Sequence, residues 1–195
     1  MDVRCLFLAV CLVASASGAI DLFIGQCPQV PTKPDFELNK YLGLWFSYAN
    51  FDAIFQFGSS CVRALYSLKS DGKIKVVNSG SFDFRLFGRS VWRVPIRIEG
   101  EAFIVDPQTP GGLNVKFGNQ PDMGGKANYL IMDTDYDNYS VVYSCTELGS
   151  ARNELAWILT RQKGVRPANL DNIYQRLTGY GVNVTNFKLI DHSNC

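Results

Sequence analysis

From residue 41 to residue 161 the chain returns again and again to one pattern, and that pattern limits the fold more than any other feature. Short runs place apolar side chains on alternate positions, and glycine, proline, asparagine or aspartate interrupts each run. Period-two alternation belongs to strands with one buried and one solvated face, and turns this close together force neighbouring strands to be antiparallel. Residues 61–68 carry Val62, Ala64, Tyr66 and Leu68 on one face, with Arg63, Leu65 and Ser67 on the other. After the Ser70-Asp71-Gly72 turn, Ile74, Val76 and Asn78 oppose Lys73 and Lys75. Residues 94–105 set Val94, Ile96, Ile98, Gly100, Ala102 and Ile104 against Arg97, Glu99 and Glu101. Leu113, Val115 and Phe117 continue after a turn at 107–112, and segments 126–134, 139–146 and 154–161 add three more strands. With the opening run YLGLWFSYANF at 41–51, that makes eight.

The period changes once. Pro167 suits a first helical turn, and Leu170, Ile173, Tyr174 and Leu177 fall at helical spacing until Gly179 and Gly181 stop the run. A short strand follows at 186–190. The expected fold is all-β: eight antiparallel strands with one C-terminal helix, arranged as an up-and-down barrel or a sandwich. Alternation alone does not choose between the two. Small inward residues (Ala64, Gly80, Gly100, Ala102) leave room for a ligand inside a barrel, and a barrel filled by its own side chains also fits the pattern.

Residues 1–18 read as a secretory signal peptide, with one arginine, an apolar run at 5–13, and small residues before a cut after Gly18. Cuts after Ala16 or Ala19 satisfy the same rule. Residues 19–195 then form one domain, introduced by a proline-rich arm at 26–39. Cys5 and Cys11 leave with the leader, and Cys27, Cys61, Cys145 and Cys195 remain. In a secreted chain four cysteines read as two disulfides, with three possible connectivities. Asn138-Tyr-Ser and Asn183-Val-Thr are N-glycosylation acceptors.

Catalytic and metal chemistry find little to work with. The single histidine, His192, stands three residues from the C-terminus and reads as a surface residue, so the sequence offers no buried His–Ser or His–Cys pair. The stretch from Asp133 to Asn138 resembles a calcium loop but has Asn138 where glycine is needed and Ser144 where glutamate is needed. A formal net charge of +1 gives no nucleic-acid footprint. The expectation is no enzyme, no metal and no required cofactor.

Three separated motifs, Gly43-Leu44-Trp45, Thr134-Asp135-Tyr136 and Arg161 at a strand end, together resemble the three signature regions of the lipocalin family. The match is nearest to the apolipoprotein D branch, with its insect bilin-binding and crustacean carotenoid-binding relatives. Cys27-Pro28, residues 40–45, 72–78, 98–102, 141–145 and 156–159 carry it. The resemblance implies a calyx-shaped barrel closed at one end. Gly43, Trp45, Thr134, Asp135, Tyr136 and Arg161 would seal its base, with Arg161 stacked on the Trp45 indole.

The resemblance also selects the pairings Cys27–Cys145 and Cys61–Cys195, and places Tyr66, Asn78, Phe117 and Trp157 on the pocket wall. It implies a carrier of a small hydrophobic molecule, such as a sterol, retinoid, carotenoid, bilin or fatty acid. The alternative it carries is a pigment-binding subunit of a coloured assembly. One branch of the family is an isomerase with a free pocket thiol, which four paired cysteines would not supply. A pocket without histidine argues against haem, and a pocket whose basic residue is Arg161 at the closed end favours neutral ligands.

Two aromatic stretches fall at the expected open rim. The first runs from Phe51 to Phe57 with Ile54 and Phe55. The second runs from Phe82 to Val94, with Phe84, Leu86, Phe87 and Trp92 interleaved by Arg85, Arg89 and Arg93. Either they fold inward as a lid, or they form a rim that touches a membrane, a lipoprotein or a second copy of the chain.

Overall fold

The computed structural model describes residues 22–51, 59–86, 89–118 and 125–195. The leader, Ile54, Phe55, Phe57 and Phe87 lie outside the described residues. Among the described residues ten strands run in chain order: β1 (Leu22–Ile24), β2 (Gly43–Phe51), β3 (Ser59–Leu68), β4 (Ile74–Leu86), β5 (Arg89–Ile104), β6 (Gly112–Phe117), β7 (Tyr129–Thr134), β8 (Tyr139–Leu148), β9 (Ala151–Thr160) and β10 (Phe187–Leu189). A single helical turn, α1 (Leu38–Tyr41), precedes β2, and α2 (Leu170–Gly179) follows β9.

Each strand from β2 to β9 pairs antiparallel with its sequence neighbour, and β9 returns to β2 from Phe46↔Thr160 to Asn50↔Trp157. That last pairing decides between sandwich and barrel: eight strands close on themselves and no central edge is left. β1 extends the wall beside β9 and β10 pairs with β2, so both ends of the domain are tied to the sheet. The Cys27–Cys145 and Cys61–Cys195 bonds, with Cα separations of 5.9 and 5.5 Å, fasten the same two ends.

Alternation sends two sets of apolar side chains in opposite directions. Inside the barrel Tyr41, Trp45, Tyr66, Ile74, Ala102, Leu113, Ile131 and Leu159 pack into one buried cluster at the closed end. Outside it Val141, Tyr143, Ala156 and Ile158 meet Leu170, Ile173 and Leu177 of α2. The helix residues recur three and four apart, so one stripe of α2 covers the outer face of β8 and β9.

Residues 82–94 differ from their reading as a rim loop. Strand pairing continues through them, from Phe82↔Val94 to Leu86↔Arg89, as an extended two-stranded ribbon. The alternating pattern persists there, with the pairs Phe82↔Val94 and Phe84↔Trp92 on one face and Asp83↔Arg93 on the other. Arg93 is not a free rim cation. It forks onto Asp83, whose side chain is buried, and its Nη1 donates to the Asn194 carbonyl at 2.6 Å.

Candidate functional site: a cup above a sealed floor

The floor is built around Trp45, which is fully buried and donates its Nε1–H to the Tyr41 carbonyl at 2.8 Å. The Arg161 guanidinium lies 3.7 Å from the indole centre. Its N–H groups donate to the carbonyls of Tyr136 (2.8 Å), Leu44 (2.9 Å), Lys40 (2.9 Å) and Tyr41 (3.3 Å). Burial pulls the Arg161 pKa down, and the nearby Tyr41, Asp137 and Asp135 act the other way. One cation therefore joins α1, the start of β2 and the β7–β8 turn beneath the plug.

That turn is fixed locally. Thr134 Oγ1 donates to the Tyr139 carbonyl at 2.6 Å and accepts the Tyr136 N–H at 2.9 Å. Asp135 accepts the N–H groups of Asn138 and Tyr139 at 2.8 and 2.9 Å. Burial pushes the Asp135 carboxyl up, but the Tyr139 N–H and the Asn138 side chain and N–H outweigh it, so its pKa falls below the ordinary value. Tyr136 takes a left-handed backbone, φ +68°, and presents the carbonyl that Arg161 Nε reaches. Gly43 sits at φ +99°, and a Cβ there would stand 3.4 Å from Arg161 Nη1, so the backbone conformation is what demands glycine.

Above the floor lies a cavity of about 410 Å³. Tyr66, Asn78, Phe117 and Trp157, the four pocket positions named from sequence, all line it. Tyr129 of β7 was missed. Its hydroxyl meets that of Tyr66 at 2.7 Å, and its ring lies 5.9 Å from that of Trp157. Burial pushes both phenols well above their ordinary range, so the bottom of the cup is polar but uncharged. Asn78 Oδ1 is buried without a hydrogen-bond partner among the described residues. A ligand hydroxyl or N–H at that atom would remove the cost of leaving it unpaired.

Gly100 sets one wall. A Cβ on it would run into the Lys116 carbonyl and come 2.7 Å from Phe117 Cδ1, so the Phe117 ring lies where only glycine leaves space. The sequence reading placed no basic residue inward except Arg161. Arg161 lies at the closed end beneath the plug, and Arg63 and Lys116 also border the cup. Arg63 is exposed and donates Nε to Ser79 Oγ at 3.1 Å. The bulge in the β3–β4 register between Ser60 and Arg63 blurs the alternation there.

The remaining chemistry-bearing groups are committed elsewhere. All four cysteines of residues 19–195 are disulfide-bonded. His192 is half-buried rather than freely solvated, with Nε2 2.7 Å from the Ser47 carbonyl and its ring against Phe46.

An eight-stranded antiparallel barrel with a plugged floor, an apolar cup and a helix on its outer wall defines a class, the calyx-shaped binding barrels. Comparison with known proteins makes this specific: residues 36–192 match the family model described as a lipocalin-like domain. The chain is 35% identical over 185 residues to apolipoprotein D of Cavia porcellus, covering 94% of this chain and 91% of that protein. Among solved structures, insecticyanin of the tobacco hornworm Manduca sexta superimposes with a TM-score of 0.70 at 25% identity, covering 89% of both chains. Lobster apocrustacyanin A1 shares the fold, with a TM-score of 0.63 at 20% identity over 87% of this chain and 90% of that one. The chain belongs to the lipocalin family.

Proposed function

We propose that the protein is a secreted carrier that holds one small hydrophobic molecule non-covalently in the cup and performs no catalysis. The observation that carries this reading is the cavity of about 410 Å³, apolar on most of its wall and closed below by Trp45. Binding is partition: the ligand loses contact with water at about 25 cal/mol per Å² of apolar area, and a few polar groups orient it. Tyr66, Asn78, Phe117 and Trp157 are the proposed contacts, joined by Tyr129. Asn78 and the two phenols supply the polar contacts, while Phe117 and Trp157 supply flat apolar walls. Uncharged phenols at the bottom favour neutral ligands of the sterol, retinoid or carotenoid kind over a carboxylate placed deep in the cup.

Gly43, Trp45, Thr134, Asp135, Tyr136 and Arg161 act in this reading as the structural base. Secretion rests on the sequence of residues 1–18 and agrees with two long-range disulfides. Asn138 and Asn183 are both exposed, as glycan acceptors must be. Glycosidase treatment of the secreted protein should lower its mass by two glycans. The carrier reading is tested by extracting protein from its native source and identifying the extract by mass spectrometry. One apolar small molecule per chain is expected. An empty extract, together with no uptake of sterols or retinoids by the purified protein, would reject the reading.

A further inference from the structure

The mouth of the cup is asymmetric. On the β8–β9 side the residues lining the cavity include Ser144, Thr146 and Asn153. Four strands away around the barrel, the β4–β5 side is apolar and continues well beyond the cup. Asn78, a cavity residue, pairs with Ile98; above it come Gly80↔Ile96, Phe82↔Val94 and Phe84↔Trp92, all on the same face. Phe82, Phe84 and Trp92 form a ladder, with ring centres 5.0 and 5.9 Å apart. Yet this face is not buried: Ile98 is 41% exposed and Trp92 67%. The opposite face of the ribbon carries the Asp83–Arg93, Lys75–Glu99 and Arg97–Glu99 pairs and is polar. Among the described residues β6 pairs with β5 only from Gly100 to Ile104, so the ribbon projects past the neighbouring wall.

We propose that the β4–β5 ribbon is the outer half of the ligand site, and that the ligand is an elongated neutral amphiphile. Its polar end sits against the Tyr66–Tyr129 hydroxyls and its apolar tail leaves the cup along Ile98, Ile96, Val94 and Trp92. This rests on the carrier reading and specifies its ligand. Continuity of the apolar face with the cavity names the occupant, since a chain emerging between a polar wall and an apolar one lies on the apolar one. From Ile98 to Trp92 the strand rises about 20 Å, which sets the length of tail it can accommodate.

The test uses two neutral probes, 8-bromooctan-1-ol and 22-bromodocosan-1-ol, whose terminal bromine quenches a tryptophan that it touches. The short probe should quench Trp157 alone, an effect absent in Trp157→Phe and unchanged in Trp92→Phe. The long probe, whose bromine passes beyond Trp157, should quench Trp92 instead, and Trp92→Phe should remove that quenching. An Ile96→Ser/Ile98→Ser variant should weaken the long probe about fivefold or more and the short one less than twofold, with both complexes sedimenting as monomers. Long-probe quenching that survives Trp92→Phe would overturn the proposal. So would a bound state that sediments as a dimer, or a ribbon variant that loses only attachment to phosphatidylcholine vesicles. If neither probe binds, the carrier reading itself fails; if both bind and Trp92 is untouched, only this inference fails.

Discussion

Tyr66 and Tyr129 stand four strands apart around the barrel, and their hydroxyls meet at 2.7 Å. The pair is a crossbar through the lumen: it joins β3 to β7 where no backbone pairing can, and it sets the depth of the cup. Because both phenols are buried, the bond is strengthened by low surrounding polarity, and either partner is costly to leave alone.

Single substitutions at the crossbar should therefore cost more than the bond itself. Tyr66→Phe or Tyr129→Phe should each lose about 1–3 kcal/mol in urea unfolding, because a buried hydroxyl loses its partner across the lumen. The double variant should lose clearly less than the sum of the singles. Additive losses would show that the hydroxyls do not act as a pair.

Arg161 bonds four carbonyls and covers Trp45, so lysine is no substitute for it. Arg161→Lys should destabilise by about 2–4 kcal/mol, since one ammonium cannot reach carbonyls on three segments. Trp45→Ala should cost about 3–5 kcal/mol by opening a cavity at the floor. Unchanged melting temperatures in both would remove the floor from the account of stability.

Gly100→Ala has a different signature. The added methyl pushes against the Lys116 carbonyl and the Phe117 ring, so a loss of about 1–3 kcal/mol is expected from overpacking. Phe117 should swing into the cup, and affinity for a sterol-sized probe should fall more than affinity for a small one. Equal losses for both probes would show that Gly100 does not set the wall.

The Asp135 carboxyl is depressed in the folded protein, so its contribution is present above its ordinary value near 3.8 and disappears as pH falls through the lower folded value. Acid unfolding below about pH 4 should be shallower in Asp135→Asn than in wild type. Identical acid transitions would mean that the turn draws no stability from the charge.

The strands were legible because alternation is local, whereas Gly43, Trp45 and Arg161 were named through the family resemblance, since Arg161 meets Leu44 and Lys40 only in the folded chain. The lumen was less legible. Tyr129 could be read as a strand residue, but its meeting with Tyr66 follows from closure of β9 onto β2, which no local pattern expresses. The ribbon carries the same alternation, Phe82 and Phe84 about Asp83, but its length as strand is revealed by the pairing with Val94 and Trp92 rather than by composition. Arg93 looked like a rim charge for the same reason, as its partner Asp83 lies across the ribbon.

The central claim, that the cup is the binding site, is tested most directly by titration with N-phenyl-1-naphthylamine, a neutral probe that brightens in apolar surroundings. Wild-type protein should take up one probe per chain with energy transfer from Trp157, and Asn78→Phe, which fills part of the cup, should weaken uptake about tenfold or more while leaving the fold intact. Uptake that is unchanged in the filled variant would place binding elsewhere on the molecule and contradict the account.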